Sequence, residues 1–157
     1  MPSPRRSAAD QDAWLRLDHQ LCFALYAASL AMTKLYKPLL APLGLTYPQY
    51  LVLLVLWEGE GVTVSALGER LQLDSGTLTP LLKRLEAAGL VLRVRDAADE
   101  RRVLLQLSAA GRALKRRAAA VPRSVAGASG CGLGELRELT ARLHRLRGQI
   151  QSTTPAA

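Results

Sequence analysis

The stretch from residue 63 to residue 107 constrains the fold more than any other part of the chain, because two helical patterns are followed directly by two strand-like runs. Thr63 can cap the first helix, and Gly89 stands at the C′ position that ends the second. A turn at residues 72–74 separates them. Their apolar positions are Val64, Leu67 and Leu71 in the first helix, and Leu78, Leu81, Leu82, Leu85 and Ala88 in the second. This spacing predicts a helix–turn–helix.

Two runs of apolar and basic residues, 90–95 and 102–107, follow the second helix and are joined by the polar segment 96–101. Strands so close together in a chain form a β-hairpin. A helix–turn–helix followed by a hairpin is the winged-helix arrangement. The predicted fold class is therefore mainly α with a small β-hairpin wing, a winged helix-turn-helix.

Helical patterns also precede this lobe. A long one runs from Asp18 to about Ala41, and Pro38 and Pro42 are expected to kink it and then end it, because proline cannot donate to the helical ladder. A short, buried helix should follow from a capping box that begins at Thr46.

Further helices are predicted after the wing. Ser108 is expected to cap one that continues to about Val125, and the small residues at 127–134 predict a flexible loop. The last helix, at 134–151, has apolar residues with alternating spacings of three and four. This seam consists of Leu136, Leu139, Leu143, Leu146 and Ile150. It needs a partner helix, which the first helix or a second subunit could supply, or both together in a dimer.

These patterns predict one organisation for the whole chain. We expect a disordered tail at residues 1–13 and a single unit at 14–157. Within that unit, helices at 18–45 and 108–151 would form the dimerisation region of a homodimer, and residues 46–107 would form the DNA-binding lobe.

The charge and composition narrow the class of partner. Lys and Arg number 21 against 13 Asp and Glu, for a formal charge of +8, which favours a polyanion such as nucleic acid. Aromatic residues make up only 4%, which disfavours binding of single strands by base stacking. The sequence has neither an apolar run of membrane-spanning length nor a signal peptide, and its two cysteines are too few for a secreted disulfide scaffold. We therefore expect a cytoplasmic protein with no membrane partner.

The second helix of the helix–turn–helix is the candidate recognition helix. Its apolar face can seat it on the lobe, while its other face carries small hydroxyl and basic side chains suited to a major groove. These candidate DNA contacts are Ser75, Thr77, Thr79, Lys83 and Arg84. Ser75 lies near the helix N-terminus, where a phosphate could bind, although Pro80 could instead be the first helical residue. The alternative is an ordinary solvated amphipathic helix.

The tip of the wing is rich in arginine, with Arg93, Arg95, Arg101 and Arg102 as candidate DNA contacts. Arginine is attracted to a narrow minor groove, where the potential is most negative. Asp99 could hold the Arg101 guanidinium by a charge-assisted hydrogen bond. The alternative is a polar turn with surface arginines.

The first helix carries a candidate reactive thiol. Cys22 shares a polar stripe with Tyr26, Ser29, Thr33 and Tyr36, and phenol donors stabilise a thiolate. Tyr26 is one turn away, whereas the 14 residues between Cys22 and Tyr36 span roughly 21 Å of helix. A contact of Cys22 with Tyr36 would therefore need a second subunit. The alternative is that Cys22 is a small buried hydrophobe.

The second cysteine and the remaining polar residues suggest little further chemistry. Cys131 stands between glycines, where a mobile thiol could resolve a sulfenic acid, or its presence could be incidental. His19 and His144 have no ligands at metal spacing, and the sequence has no phosphate-binding glycine loop and no carboxylate pair suited to catalysis. We expect no metal, no cofactor and no enzyme activity.

Four segments resemble the MarR family of winged-helix transcription regulators: Val62–Gly68, Asp74–Val91, Asp99–Arg102 and Leu107–Gly111. The resemblance extends over about residues 15–151. Within the family, the sequence is most similar to the organic-hydroperoxide sensors of the OhrR type. That similarity is carried by Leu21–Tyr26, Tyr36, Leu45–Tyr50 and the run from Asp74 to Pro80.

The resemblance implies a redox-sensing repressor. Cys22 would be the peroxidatic cysteine, with its thiolate hydrogen-bonded by Tyr36 and Tyr47 of the partner subunit, and Tyr26 would line the same pocket. Cys131 would be the resolving cysteine that forms an intersubunit disulfide with Cys22. The reduced homodimer would bind a pseudo-palindromic operator in double-stranded DNA. Oxidation by organic hydroperoxides would move the two recognition helices out of register with successive major grooves.

Three other functions remain open at this point. A regulator of the same fold could be released by a small phenolic or drug-like ligand, with the cysteines incidental. The chain could be a thiol peroxidase, although it lacks a cysteine-centred turn at a helix N-terminus. It could also be a constitutive architectural DNA binder, which would show no redox response.

Overall fold

The computed structural model describes residues 12–153. The tail predicted at 1–13 lies outside the described residues except for its last two, which open a helical turn at 12–14. A 3-10 turn at Leu17–His19 leads into the main helices, and a second one at Ala41–Leu43 joins the first two. The α-helices are α1 (Leu21–Leu40), α2 (Tyr47–Glu58), α3 (Val64–Leu71), α4 (Ser75–Ala87), α5 (Ala109–Ala118), α6 (Val121–Ser129) and α7 (Leu133–Thr153).

Three short antiparallel strands complete the fold. They are β1 (Val62–Thr63), β2 (Val91–Arg95) and β3 (Val103–Leu107), in the order β1-β3-β2. In the hairpin Val91 pairs with Leu107 and Arg95 with Val103, which confirms the predicted wing. With α3 and α4 as the helix–turn–helix, the fold is the predicted winged helix, mainly α with a small sheet.

Local capping explains where most helices begin. The capping box at Thr46 is formed in both directions, since its hydroxyl accepts from the Gln49 N–H and its own N–H donates to the Gln49 side chain. Thr63 and Ser108 cap α3 and α5 as expected. Gly89, after α4, has the left-handed φ of +70° that a C′ glycine provides.

Several predicted boundaries were wrong. The first helix begins at Leu21 and not at Asp18, because Gln20 is extended and interrupts the pattern. The single helix predicted after Ser108 is divided into α5 and α6, with Pro122 in the first turn of α6. The predicted loop at 127–134 shrinks to residues 130–132, because its first residues continue α6. The short strand β1 was not predicted at all.

Most of the core lies within residues 46–107. Helix α2 is buried along most of its length, and α3, α4 and the sheet pack around it. The largest side chains that are less than 2% exposed are Leu40, Leu53, Leu56, Leu67, Leu78, Leu82, Leu85 and Leu105. Leu78, Leu82 and Leu85 belong to the face of α4 that the sequence assigned to the core. The opposite face of α4 is therefore left for solvent or DNA.

The terminal helices have little core of their own. Among their residues only Leu40 of α1 is buried, and α7 has no buried residue. Their large exposed apolar side chains are Leu21, Phe23, Tyr26 and Leu30 on α1, and Leu133, Leu139, Leu143 and Ile150 on α7. Within residues 12–153 no single helix is both long and apolar enough to cross a membrane. Only α1 with the turn to Leu43, taken together with α2 across a bend of 69°, combines enough length and apolar character.

Candidate DNA interface and thiol site

Helix α4 presents the predicted contact residues on its outer face. Ser75, Thr77, Lys83 and Arg84 are exposed, and Thr79 is half-buried. Pro80 lies inside the helix and is not its first residue, so it leaves one carbonyl of the first turns without its usual donor.

The N-cap of α4 is Asp74, a residue that the sequence placed only in the turn. Its carboxylate accepts from the Thr77 N–H at 2.7 Å, and this hydrogen bond is the main cause that lowers the pKa of Asp74. A negative charge therefore already lies at the helix end where Ser75 was expected to receive a phosphate. A phosphate that approached Ser75 would meet the Asp74 carboxylate as well.

The arginines of the wing differ in how they are held. Arg93 pairs with Glu86 of α4 at 3.0 Å, and Arg102 lies 3.6 Å from Asp96. Arg95 donates to the Glu100 carbonyl at 3.3 Å. The guanidinium of Arg101 has no partner within the described part of the chain. Of the four, Arg101 is therefore the one whose charge is fully available.

The role predicted for Asp99 was wrong. Its carboxylate accepts from the backbone N–H of Arg101 at 3.1 Å, while its carbonyl accepts from the Arg102 N–H at 2.9 Å. Asp99 thus shapes the turn through the backbone and does not hold the Arg101 guanidinium. An aspartate two residues before the N–H that donates to it is placed for this Asx turn, and the turn competes with a side-chain pair.

A set of long-range contacts that the sequence did not reveal fixes the base of the wing. Glu60 accepts two hydrogen bonds from Arg112, at 2.7 and 2.8 Å, and one from the Leu107 N–H at 3.2 Å. The Arg112 hydrogen bond is the main cause that lowers the pKa of Glu60. Trp57 donates its ring N–H to the Gly111 carbonyl at 2.9 Å. These contacts hold α5, the end of α2 and the end of β3 together.

Both cysteines are free thiols in the single chain. Cys22 is exposed in the first turn of α1, so the interpretation of this residue as a buried hydrophobe does not describe the chain on its own. Cys131 is half-buried in the short loop before α7, and its N–H donates to the Ser129 hydroxyl at 3.3 Å. The loop around Cys131 is shorter than predicted.

Tyr36 and Tyr47 are brought together at the other end of α1. Their ring centroids lie 4.7 Å apart, and Tyr50 lies 5.9 Å from Tyr36. Burial raises the pKa of Tyr36 to about 12, with a further contribution from Tyr47 and Tyr50, and burial also raises the pKa of Tyr47. Both phenols therefore stay protonated near neutral pH and can donate. Tyr26, in contrast, is 62% exposed and outside this cluster.

The hydroxyl groups of Tyr36 and Tyr47 have no hydrogen-bond partner within residues 12–153. The contact between the two residues is made by their rings alone. Two neutral phenol donors are thus held close together, with their hydroxyl groups available to an acceptor from outside the chain.

A cavity of about 430 Å³ opens beside this pair, and we call it the Tyr47 pocket. Its apolar wall is formed by Ala41, Leu45, Tyr47 and Pro48, and its charged residues are Lys34 and Lys37. Cavities of this size commonly bind small organic molecules. Within the described residues no group of three or more His, Cys, Asp and Glu is placed to hold a metal ion.

In comparisons with known proteins, the chain matches transcriptional regulators. The family model "Transcriptional regulator SarA/Rot" matches residues 34–118. The chain is 52% identical over 153 residues to the HTH-type transcriptional regulator TtmR of Methylorubrum extorquens, covering 96% of this chain and 78% of that protein. It is also 52% identical over 132 residues to the organic hydroperoxide resistance transcriptional regulator of Bacillus subtilis, covering 84% and 90%.

The fold is also similar to solved structures of AbfR of Staphylococcus epidermidis. The reduced form bound to DNA matches with a TM-score of 0.73 and 35% identity, covering 90% of this chain and 97% of that one. The disulfide form matches with a TM-score of 0.63 and 37% identity, covering 89% and 98%. The proteins in these comparisons are transcriptional regulators that match the chain over most of its length, and the chain belongs to the MarR family of winged-helix transcription regulators, in the group that the SarA/Rot model describes.

Proposed function

We propose that the chain is a repressor that binds operator DNA as a reduced homodimer and is released when an organic hydroperoxide oxidises Cys22. The observation that carries this proposal is that the thiol and the paired phenols lie at opposite ends of α1. Cys22 is exposed in the first turn, while Tyr36, near the other end, packs on Tyr47. Because roughly 21 Å of helix separates Cys22 from Tyr36, the thiol can meet the paired phenols only across two subunits.

The exposed apolar faces of α1 and α7 support the dimer. Eight large apolar side chains on these helices, from Leu21 to Leu30 and from Leu133 to Ile150, are between 38% and 62% exposed in the single chain. Large apolar side chains exposed in such number on two helices indicate an interface, and a second copy is the commonest occupant. Helices at 18–45 and 108–151 would then form the dimerisation region, with residues 46–107 as the DNA-binding lobe.

The chemistry at Cys22 is a two-electron oxidation. The Cys22 thiolate, held by Tyr36 and Tyr47 of the partner subunit and flanked by Tyr26, attacks the terminal oxygen of the hydroperoxide. An S–O bond forms, the O–O bond breaks, and the alkoxide takes up a proton and leaves as the alcohol. The product is a sulfenic acid on Cys22, and the peroxide is reduced.

Cys131 of the partner subunit completes the reaction. Its thiolate attacks the sulfenic sulfur, an S–S bond forms, the S–O bond breaks, and the hydroxide takes up a proton to leave as water. Because Cys131 lies in the loop directly before α7, the new bond would restrain the start of a dimerisation helix. If Cys131 does not resolve, a small cellular thiol would cap Cys22 instead.

The recognition helix and the wing would both bind the DNA duplex. The recognition helix would read the major groove with Thr77, Thr79, Lys83 and Arg84, and Ser75 would contact the backbone. The wing would use Arg95, Arg101 and Arg102, with Arg93 after it leaves Glu86 and Asp99 shaping the turn. The DNA-bound form of AbfR and the name of the Bacillus subtilis relative support a hydroperoxide-regulated DNA binder.

An operator-binding assay tests the proposal. A duplex selected in vitro against the reduced protein is titrated with wild type, Cys22→Ser and Cys131→Ser, with and without cumene hydroperoxide. We expect the oxidant to release wild type and dithiothreitol to restore binding, while Cys22→Ser stays bound. Cys131→Ser should still respond but form no disulfide-linked dimer on a non-reducing gel. Release of Cys22→Ser by the hydroperoxide would overturn the proposal.

The Tyr47 pocket favours one second candidate, a repressor released by a small phenolic or drug-like ligand with the cysteines incidental. Its size and apolar wall suit such a molecule. In that case an aromatic ligand alone would release the operator, and Cys22→Ser would respond as wild type does.

A further inference from the structure

The Tyr47 pocket combines an apolar wall with charge of one sign. Lys34 and Lys37 are its only charged lining residues, and both are exposed. They lie three positions apart on α1 and therefore share a face of the helix. An apolar cavity with two cations is complementary to a molecule that has an apolar body and an anionic head.

The two lysines have no counter-charge among the residues that the structure describes. Neither makes an ion pair or a side-chain hydrogen bond within residues 12–153. Some other cations are paired across elements, as Arg112 is with Glu60 and Arg93 is with Glu86. Two like charges on neighbouring turns disfavour each other unless an anion lies between them. Lys34 and Lys37 are thus set to receive an anion from outside the chain.

The Tyr47 pocket also adjoins the pair of phenols in the proposed thiol site. Tyr47 forms part of its wall, and the same ring packs on Tyr36 at 4.7 Å. A molecule in this pocket would hold its apolar part against one of the two phenols that are proposed to activate Cys22 of the partner subunit. Its head group would lie toward the lysines.

We propose that Lys34 and Lys37 anchor the carboxylate of an amphipathic hydroperoxide, so that the protein senses hydroperoxides of organic acids in preference to neutral ones. This inference rests on the proposed function. The reaction is unchanged: the Cys22 sulfur gains the terminal oxygen, the O–O bond breaks, and the hydroxy acid leaves with a proton. The carboxylate takes no part in the electron transfer and only positions the O–O bond near the phenols.

The test compares one hydroperoxide in two forms, a medium-chain hydroperoxy acid and its methyl ester. Reduced full-length protein is mixed with each, quenched with an alkylating agent, and the remaining Cys22 thiol is quantified by mass spectrometry. We expect the acid to react about fivefold faster than the ester, because two exposed charge contacts contribute modestly, and we expect added salt to reduce that ratio. In Lys34→Gln/Lys37→Gln the ratio should fall towards one.

A matched variant controls for loss of charge alone. Arg116→Gln removes one exposed, unpaired cation from α5, away from the pocket, and should keep the preference for the acid. Operator binding by the reduced variants checks that they are folded. Equal rates for acid and ester in wild type, or an unchanged ratio in the double lysine variant, would overturn the inference and leave the peroxide sensor standing. If neither form oxidises Cys22, the proposed function fails and the inference with it.

Discussion

The rings of Tyr36 and Tyr47 lie 4.7 Å apart at an interplanar angle of 47°, and neither hydroxyl group has a partner within the described residues. The ring contact stabilises the junction of α1 with α2 without using the phenol oxygens. Packing and hydrogen bonding can therefore be separated by a change from tyrosine to phenylalanine, which keeps the ring and removes the donor.

Tyr36→Phe and Tyr47→Phe should each slow the oxidation of Cys22 by roughly ten- to a hundredfold, because a hydrogen bond to a charged group contributes about 1.5–3 kcal/mol. Thermal stability should change little, since no hydrogen bond within the described chain is lost. The rate is measured by thiol loss after addition of cumene hydroperoxide. Tyr50→Phe, in the third ring of the cluster, is the control and should oxidise at the wild-type rate. Wild-type rates in all three variants would remove the phenols from the mechanism.

The parts of the fold that sequence predicted well are those decided by neighbouring residues. Thr46, Thr63 and Ser108 cap their helices because a side-chain oxygen two or three residues upstream satisfies a free N–H. The apolar face of α4 follows from its own spacing. That a contact between Cys22 and Tyr36 would need a second subunit also follows from the helix rise, and this stays a prediction.

The features that the sequence did not reveal are of two kinds. Some are contacts between segments that are distant in the chain, and others depend on which of two nearby groups a side chain binds. The pair of Glu60 with Arg112 and the hydrogen bond from Trp57 to Gly111 join residues more than fifty positions apart, with no periodicity to reveal them. Asp99 had two acceptable partners, and the backbone N–H prevailed over the guanidinium. The packing of Tyr36 on Tyr47 required the angle between α1 and α2, which no pattern contains.

Gly111 is required for the join between the wing and α5. A Cβ there would lie 2.2 Å from the Leu90 carbonyl oxygen, a backbone atom that also accepts from Ser108. We expect Gly111→Ala to destabilise the protein by about 3 kcal/mol, as for overpacking against a rigid neighbour, and to lower Tm by several degrees. Gly127→Ala, in α6 with open space around it, should be neutral or stabilise by about 0.5 kcal/mol. Equal effects in thermal melts would contradict the close approach at Gly111.

The tyrosine cluster should make the protein sensitive to alkali. Burial raises the pKa of Tyr36 to about 12 and raises that of Tyr47 and Tyr50, whereas an unfolded tyrosine titrates near 10. The unfolded chain therefore loses these protons first, so the stabilisation is complete below pH 10 and is lost as the pH rises towards 12. Urea unfolding at pH 8, 10 and 11 measures the decline. Tyr36→Phe should flatten it, and a free energy of unfolding that stays constant across this range would contradict the burial of the phenols.

The arginines of the wing should differ in their contribution to operator binding. Arg101 has no partner among the described residues, whereas Arg93 is held by Glu86 at 3.0 Å and must leave that carboxylate before it can reach a phosphate. Each phosphate contact adds about 0.9 to the slope of log affinity against log salt concentration. Because the proposed homodimer carries two copies of the residue, Arg101→Ala should lower the magnitude of that slope by about 1.8, and Arg93→Ala should change it less. Glu86→Gln frees Arg93 and should make the slope steeper. Fluorescence anisotropy with a labelled operator over a salt series gives all three values, and a larger loss for Arg93→Ala than for Arg101→Ala would contradict the ranking of the two arginines by their ion pairs.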